Sequence, residues 1–234
     1  MRDLNFFWLN DLVGLLFPRS CHACGKPLNQ QEEILCTQCL YHLPRTNFHV
    51  HKENPVREIF GGILPLYSAT SFLFFNKGGM TQTLMHRLKY RGKKEVGIYL
   101  GKLLGSQLAE SEFFMDADVL LPVPLHPVKL KKRGYNQSQI ITAGMETVMK
   151  AEMNTNVLLK SVHTSSQTRK SRYERWENVK DIFEVRNPES MENKHIILVD
   201  DVITTGATLE ACAETLLDIP GVKLSVASLA YSQG

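Results

Sequence analysis

His195-Ile-Ile-Leu-Val-Asp-Asp-Val-Ile-Thr-Thr-Gly-Ala-Thr-Leu209 is the stretch that decides how this chain reads. His195 to Val199 form a short continuous apolar run, the pattern of a strand buried on both faces. Two carboxylates, Asp200 and Asp201, follow at its carboxyl end and can accept hydrogen bonds from the two hydroxyls of a ribose. The loop from Thr204 through Thr205, Gly206 and Ala207 to Thr208 directs backbone N–H groups and hydroxyls toward one spot. There the positive end of the next helix favours a phosphate. Gly206 permits close backbone approach. Leu209, Cys212, Ala213 and Leu216 recur at i, i+3, i+4 and i+7, so the helix buries that face and Cys212 reads as a core residue.

Working outward, Leu224 to Ala230 reads as a final strand and Val119 to Pro124 as another strand buried on both faces. Helices are expected at Met80 to Tyr90, around Leu100 to Leu108 and at Ser138 to Lys150. One or two strands are expected within Ile63 to Phe74, with further apolar runs at Val157 to Val162 and at Phe183 and Val185. Thr164 to Lys180 holds almost no apolar residues and reads as a long exposed loop. Strands alternating with helices after residue 118 imply an α/β fold: a mostly parallel sheet with helices on both faces.

At 234 residues and 43% apolar, the chain can bury a medium core plus a small appendage, which excludes a disordered protein. Lys and Arg number 27 against 24 Asp and Glu, so mean charge says little about anionic partners. Placement says more, because basic residues cluster in Arg87–Lys94, Lys129–Arg133 and Arg169–Arg175. Leu4 to Phe17 reads as an amphipathic helix packed on the protein, too short and too interrupted by polar residues to span a bilayer. No transmembrane segment is expected.

Cys21 and Cys24, then Cys36 and Cys39, form two Cys-x-x-Cys pairs separated by eleven residues. Two thiolate pairs on turns can close a tetrahedron around a structural Zn²⁺, an iron centre or redox pair being the alternatives. Paired thiols so close together fit a reducing compartment, and a cytoplasmic location is expected, with membrane association only through partners.

Val199-Asp-Asp-Val-Ile-Thr-Thr-Gly-Ala-Thr208 resembles the signature with which type I phosphoribosyltransferases bind 5-phosphoribosyl 1-pyrophosphate (PRPP). With Leu88-Lys-Tyr-Arg-Gly92, Pro122-Val-Pro-Leu-His126, Arg133-Gly-Tyr-Asn-Gln137, Gln167-Thr-Arg169, Arg175, Asn178 and the paired cysteines, the likeness extends over nearly the whole chain to the ComF family of competence proteins and its relative GntX. The resemblance implies a phosphoribosyltransferase core at 116–234, a hood at 46–115 and a helix and zinc module at 1–45. It implies that Val123, Pro124, Leu125 and His126 form the pyrophosphate loop and that residues 164–180 close over Mg²⁺-bound PRPP. Arg169, Lys170, Arg172 and Arg175 would then stabilise departing pyrophosphate, with Arg169 and Arg175 as catalytic residues beside Asp200 and Asp201, and Arg133 and Lys89 at the entrance. The function so implied is transfer of phosphoribose to an unknown acceptor, linked to natural transformation. The alternative is a non-catalytic competence accessory or PRPP sensor that contacts single-stranded DNA and the uptake machinery, any DNA binding being phosphate-driven.

Overall fold

The computed structural model describes residues 19–160 and 183–232. The helix read at Leu4 to Phe17, the loop read at Thr164 to Lys180, Arg169 and Arg175 lie outside them. The described strands are β1 (Ser68–Phe74), β2 (Val119–Pro122), β3 (Glu152–Met153), β4 (Leu158–Lys160), β5 (Phe183–Val185), β6 (His195–Ile203) and β7 (Lys223–Tyr231). The described α-helices are α1 (Thr37–Tyr41), α2 (Pro55–Ile59), α3 (Met80–Tyr90), α4 (Lys94–Ala109), α5 (Pro127–Arg133), α6 (Gln137–Glu146) and α7 (Ala207–Leu217).

Five strands make one sheet in the order β1-β7-β6-β2-β3, and every neighbouring pair is parallel. Period-two alternation divides its side chains between two cores. Ile197 and Val199 of β6, with Ala227 and Leu229 of β7, face Leu84, Leu88, Leu100, Leu104, Ile141 and Met145 of α3, α4 and α6. Ile196, Leu198, Leu224 and Val226 face Leu209, Cys212 and Leu216 of α7, with Val56 and Phe60 from α2 and its end. A sheet buried on both sides explains why β6 and β7 read as unbroken apolar runs.

Helices α4 and α6 pack backbone to backbone. A Cβ on Gly101 would sit 2.0 Å from the Ile141 carbonyl oxygen, and one on Gly144 would sit 2.1 Å from that of Ile98. No larger residue fits either position without separating the helices, so these glycines set the depth at which α6 lies on the sheet.

Three regions differ from the sequence reading. Within Ile63 to Phe74 only Ser68–Phe74 is strand, because Gly61 and Gly62 lie in a turn and Pro65 delays entry to the ladder. The basic run at 129–133 belongs to α5, opened by Pro127 and closed by Gly134 at φ 80°. The apolar runs after residue 157 pair with each other as an antiparallel ribbon, β4 on β5, and stay outside the main sheet. The segment expected as a hood supplies β1, an edge strand of the main sheet.

Candidate functional site

The site follows from where the chain changes direction across the sheet. From β2 it runs through α5 and α6 to β3 on one side, and from β6 through α7 to β7 on the other. Parallel neighbours β2 and β6 therefore send their following loops apart, opening a crevice at the carboxyl edge where open α/β sheets bind ligands. Residues 123–126 and 200–208 border it. The Val123 N–H donates to the Val199 carbonyl at 2.9 Å, fixing the two exits side by side.

Asp200 and Asp201 sit half-buried at this edge. Asp200 Oδ1 accepts from Ser138 Oγ at 2.9 Å and from the Asp201 N–H at 2.7 Å. Burial first, and then the Asp201 charge, push the Asp200 carboxyl up to about 7. Asp201 Oδ2 pairs with Lys89 Nζ at 2.9 Å, both side chains being no more than 20% exposed. Lys89, expected at the entrance, is thus in contact with the acidic pair. Ser138 was missed by sequence reasoning, although it directly follows the Arg133–Gln137 motif.

Gly206, at φ 79°, caps α7, and its carbonyl accepts from the Glu210 N–H at 2.9 Å. A Cβ there would meet Ile59 Cγ2 at 2.8 Å and Phe60 Cε1 at 2.9 Å, so the close approach that requires glycine is to α2 and its end. Thr204, Thr205, Ala207 and Thr208 are exposed around a small cavity that Asp200 also lines. The free N–H groups at the start of α7 open beside it.

On the β2 side Val123 is buried and Pro124, Leu125 and His126 are half-buried. His126 Nδ1 accepts from the Val128 N–H at 3.2 Å, which caps α5. Asn136 Nδ2 donates to the Val123 carbonyl at 2.9 Å while its oxygen caps α6. Arg133 donates to Gln137 Oε1 at 2.6 Å, and its guanidinium lies 5.7 Å from the centre of the Tyr90 ring. The geometry thus places Asp200 with Thr204 to Thr208 around one cavity and Val123 beside Val199 at the same edge of the sheet, while Arg133 lies against Tyr90, which lines a neighbouring hollow with Asp201.

The four cysteines form a second centre. Their Sγ atoms all lie within 4.8 Å of one another, with Cys24 and Cys36 3.8 Å apart. Four thiolates at ~2.3 Å from one Zn²⁺ sit ~3.8 Å apart in a regular tetrahedron, so the donor set fits the metal. Gly25 makes the knuckle turn at φ 78°, its N–H donating to the Cys21 carbonyl at 2.9 Å. Burial opposes ionisation of Cys21, but backbone N–H groups of Cys24, Cys36 and Ala23 outweigh it and bring the thiol down to about 6. Cys21, Cys36 and Cys39 are buried in the same core as α3 and α4. This cluster could hold a metal ion.

A third polar cluster, at the opposite edge of the sheet, joins His195 Nδ1 to Asp116 Oδ1 at 2.8 Å and His195 Nε2 to Ser225 Oγ at 2.9 Å. The connectivity is that of a Ser–His–Asp triad, but Ser225 is fully buried, so no substrate can reach its hydroxyl.

Residues 133–232 match the family model described as "Phosphoribosyl transferase domain". The chain is 24% identical over 200 residues to the DNA utilization protein YhgH of Shigella flexneri, covering 84% of this chain and 83% of that one. It is 28% identical over 210 residues to competence protein ComFC of Bacillus subtilis, covering 89% and 81%. The chain has a type I phosphoribosyltransferase fold and is similar to ComF-type competence proteins. Among solved structures, the glutamine PRPP amidotransferase of B. subtilis aligns with a TM-score of 0.41 and 20% identity over 60% of this chain and 30% of that one. The match takes in β3, β6 with its acidic pair, α7 and β7, whereas β1 and β2 of the same sheet precede it.

Proposed function

We propose that the chain binds Mg²⁺ and PRPP at the crevice between β2 and β6 and transfers phosphoribose to an acceptor with release of pyrophosphate. The observation that carries this reading is the Asp200–Asp201 pair running directly into the 204–208 loop at the start of α7, at the switch point of a parallel sheet. Asp200 and Asp201 accept hydrogen bonds from the ribose hydroxyls. The Thr204 to Thr208 loop holds the 5-phosphate with backbone N–H groups and hydroxyls. Val123 to His126 border the pyrophosphate, with Arg133 at the entrance; Arg169 and Arg175, which lie outside the described residues, are the proposed catalytic cations for the departing pyrophosphate. In the transfer an acceptor atom bonds to C1 as the bond from C1 to pyrophosphate breaks. Pyrophosphate leaves with the electron pair, and the acceptor's proton passes to a base. Basic side chains that stabilise the departing charge contribute most. The carboxylate oxygens of Asp200 and Asp201 suit a hard cation such as Mg²⁺, which supplies charge neutralisation on pyrophosphate when bound.

Lys89 pairs with Asp201, and its charge eases the repulsion between the two adjacent carboxylates. In the cysteine centre, Cys21, Cys24, Cys36 and Cys39 hold a structural Zn²⁺ that keeps this small segment folded against α3. The relatives' names support a role linked to DNA uptake in natural transformation, with single-stranded DNA and the uptake machinery as partners and a cytoplasmic location. Among the described residues no helix is long and apolar enough to cross a membrane.

Pyrophosphate release, assayed with PRPP and Mg²⁺ across free bases, nucleosides and nucleotides, tests the enzymatic reading. Release that depends on one acceptor is the expected result. Tight PRPP binding without release for any acceptor would leave a PRPP-binding accessory protein, and absence of PRPP binding would overturn both.

A further inference from the structure

Helix α3 carries two neighbouring stripes of polar and aromatic side chains. Gln82, His86, Lys89 and Tyr90 line a cavity of about 400 Å³ that Asp201, Val202 and Thr204 close on its other side. Thr83, Arg87 and, beyond the helix, Arg91 and Lys93 line a second cavity of about 650 Å³. Gln82 and His86 line both, so the two hollows meet across one ridge of the helix.

The two ends offer different chemistry. At the Asp201 end Tyr90 is 62% exposed, with its ring 5.2 Å from that of His86 and the Arg133 guanidinium near it. An exposed aromatic ring beside a cation is a platform for a planar heterocycle. At the far end, among the described residues, neither Arg87 nor Arg91 has a carboxylate partner. Arg87 is instead oriented by His22 of the cysteine module, 3.4 Å from its Nη1, and Lys93 pairs with Glu95 at a loose 3.5 Å. Two guanidiniums without a carboxylate partner among the described residues, flanking a hollow, favour a phosphate, which Arg grips through paired N–H donors.

We propose that these hollows form one acceptor groove, and that the acceptor is an aromatic heterocycle carrying a phosphate, a nucleoside phosphate, rather than a free base. The ring lies against Tyr90 and His86 near Asp201, and the phosphate meets Arg87 and Arg91. This rests on the phosphoribosyl reading for the identity of the neighbouring donor site, but the groove stands on its own residues. The phosphate can come from a free nucleotide or from a nucleic-acid strand.

Calorimetric titrations of the full chain with AMP, GMP, CMP and UMP, each beside its nucleoside, test the assignment. At least one monophosphate should bind tenfold or more tightly than its nucleoside. Arg91→Glu should remove that advantage while PRPP affinity stays within about twofold, and Tyr90→Ala should weaken nucleotide and nucleoside alike. A six-residue oligodeoxythymidine strand separates the sources: strand binding without mononucleotide binding, abolished by Arg91→Glu, keeps the groove and assigns the phosphate to a strand. The proposal is overturned if neither nucleotides nor the strand bind while PRPP does, if nucleosides bind as well as nucleotides, or if Arg91→Glu changes nothing. Arg91-dependent nucleotide binding in a protein that ignores PRPP would keep the groove and remove the donor reading.

Discussion

The two ends of β6 carry polar clusters built to opposite ends. At the amino end His195 is 4% exposed, both ring nitrogens are occupied, and its backbone N–H donates to Asp118 Oδ2 at 2.8 Å. At the carboxyl end two carboxylates stand side by side, one of them pushed toward neutrality, beside a loop of exposed threonines. Both ring nitrogens of His195 and the buried Ser225 hydroxyl are matched within the protein, so this first cluster stabilises the fold. The second keeps residual repulsion between its carboxylates, which Lys89 only partly offsets, and exposed hydroxyls open to a ligand. Hydrogen-bond connectivity alone would nominate the amino end as a catalytic triad, and the burial of Ser225 argues against it.

The cysteine centre is a third cluster, and it sharpens the contrast because its four thiols converge on a point that could hold a cation. Protein purified without chelator should contain one tightly bound Zn²⁺ per chain. Cys36→Ser with Cys39→Ser should lose it and melt at much lower temperature, because structural zinc in isolated modules contributes ~10 kcal/mol or more. Elemental analysis and a melting curve check this, and full zinc retention in the double variant would contradict it.

His195→Ala should cost about 2–4 kcal/mol, from a cavity and a stranded Ser225 hydroxyl, and leave PRPP affinity unchanged. Urea unfolding and a PRPP titration on the same sample read both. A loss of PRPP affinity without loss of stability would break the contrast between the two ends.

Asp200→Asn should stabilise the ligand-free protein by about 1–2 kcal/mol at pH 8. The sign follows from a folded-state pKa raised above the unfolded one. The wild-type contribution is favourable below the unfolded carboxylate value and is lost as pH rises through about 7. The variant's advantage should therefore be absent near pH 4 and complete above neutrality, as melting at each pH would reveal.

The smallest effect belongs to His195 itself. Burial lowers its pKa, so the folded state resists protonation. Its contribution is fully present above the unfolded histidine value of ~6.5 and declines as pH falls below it. In the Asp200→Asn background, stability should fall modestly on acidification from pH 7 to 5, and His195→Asn should flatten that slope.

Much of this was legible because it is local. A buried run, two aspartates and a Thr/Gly turn announce β6, its loop and α7 within fifteen consecutive residues, and the cysteine spacing announces its own cluster. What was missed is assembled across distance. Lys89 meets Asp201 and Ser138 meets Asp200 only once α3 and α6 lie on the sheet. His195 finds Asp116 and Ser225 across strands, with no periodicity in sequence to reveal it. The basic run of α5 fits a solvated helix face but is too short to fix the helix bounds, and β3 is too short to show any pattern.

Calorimetric titration of PRPP with Mg²⁺ into wild type and into Asp200→Asn with Asp201→Asn tests the central claim most directly. Two charge-assisted hydrogen bonds at roughly 1.5–3 kcal/mol each predict a loss of about two orders of magnitude or more in affinity. Melting of the empty double variant should be level or higher than wild type, showing that the fold persists. Unchanged affinity in the double variant would mean that the carboxyl end of β6 is not where this protein holds PRPP.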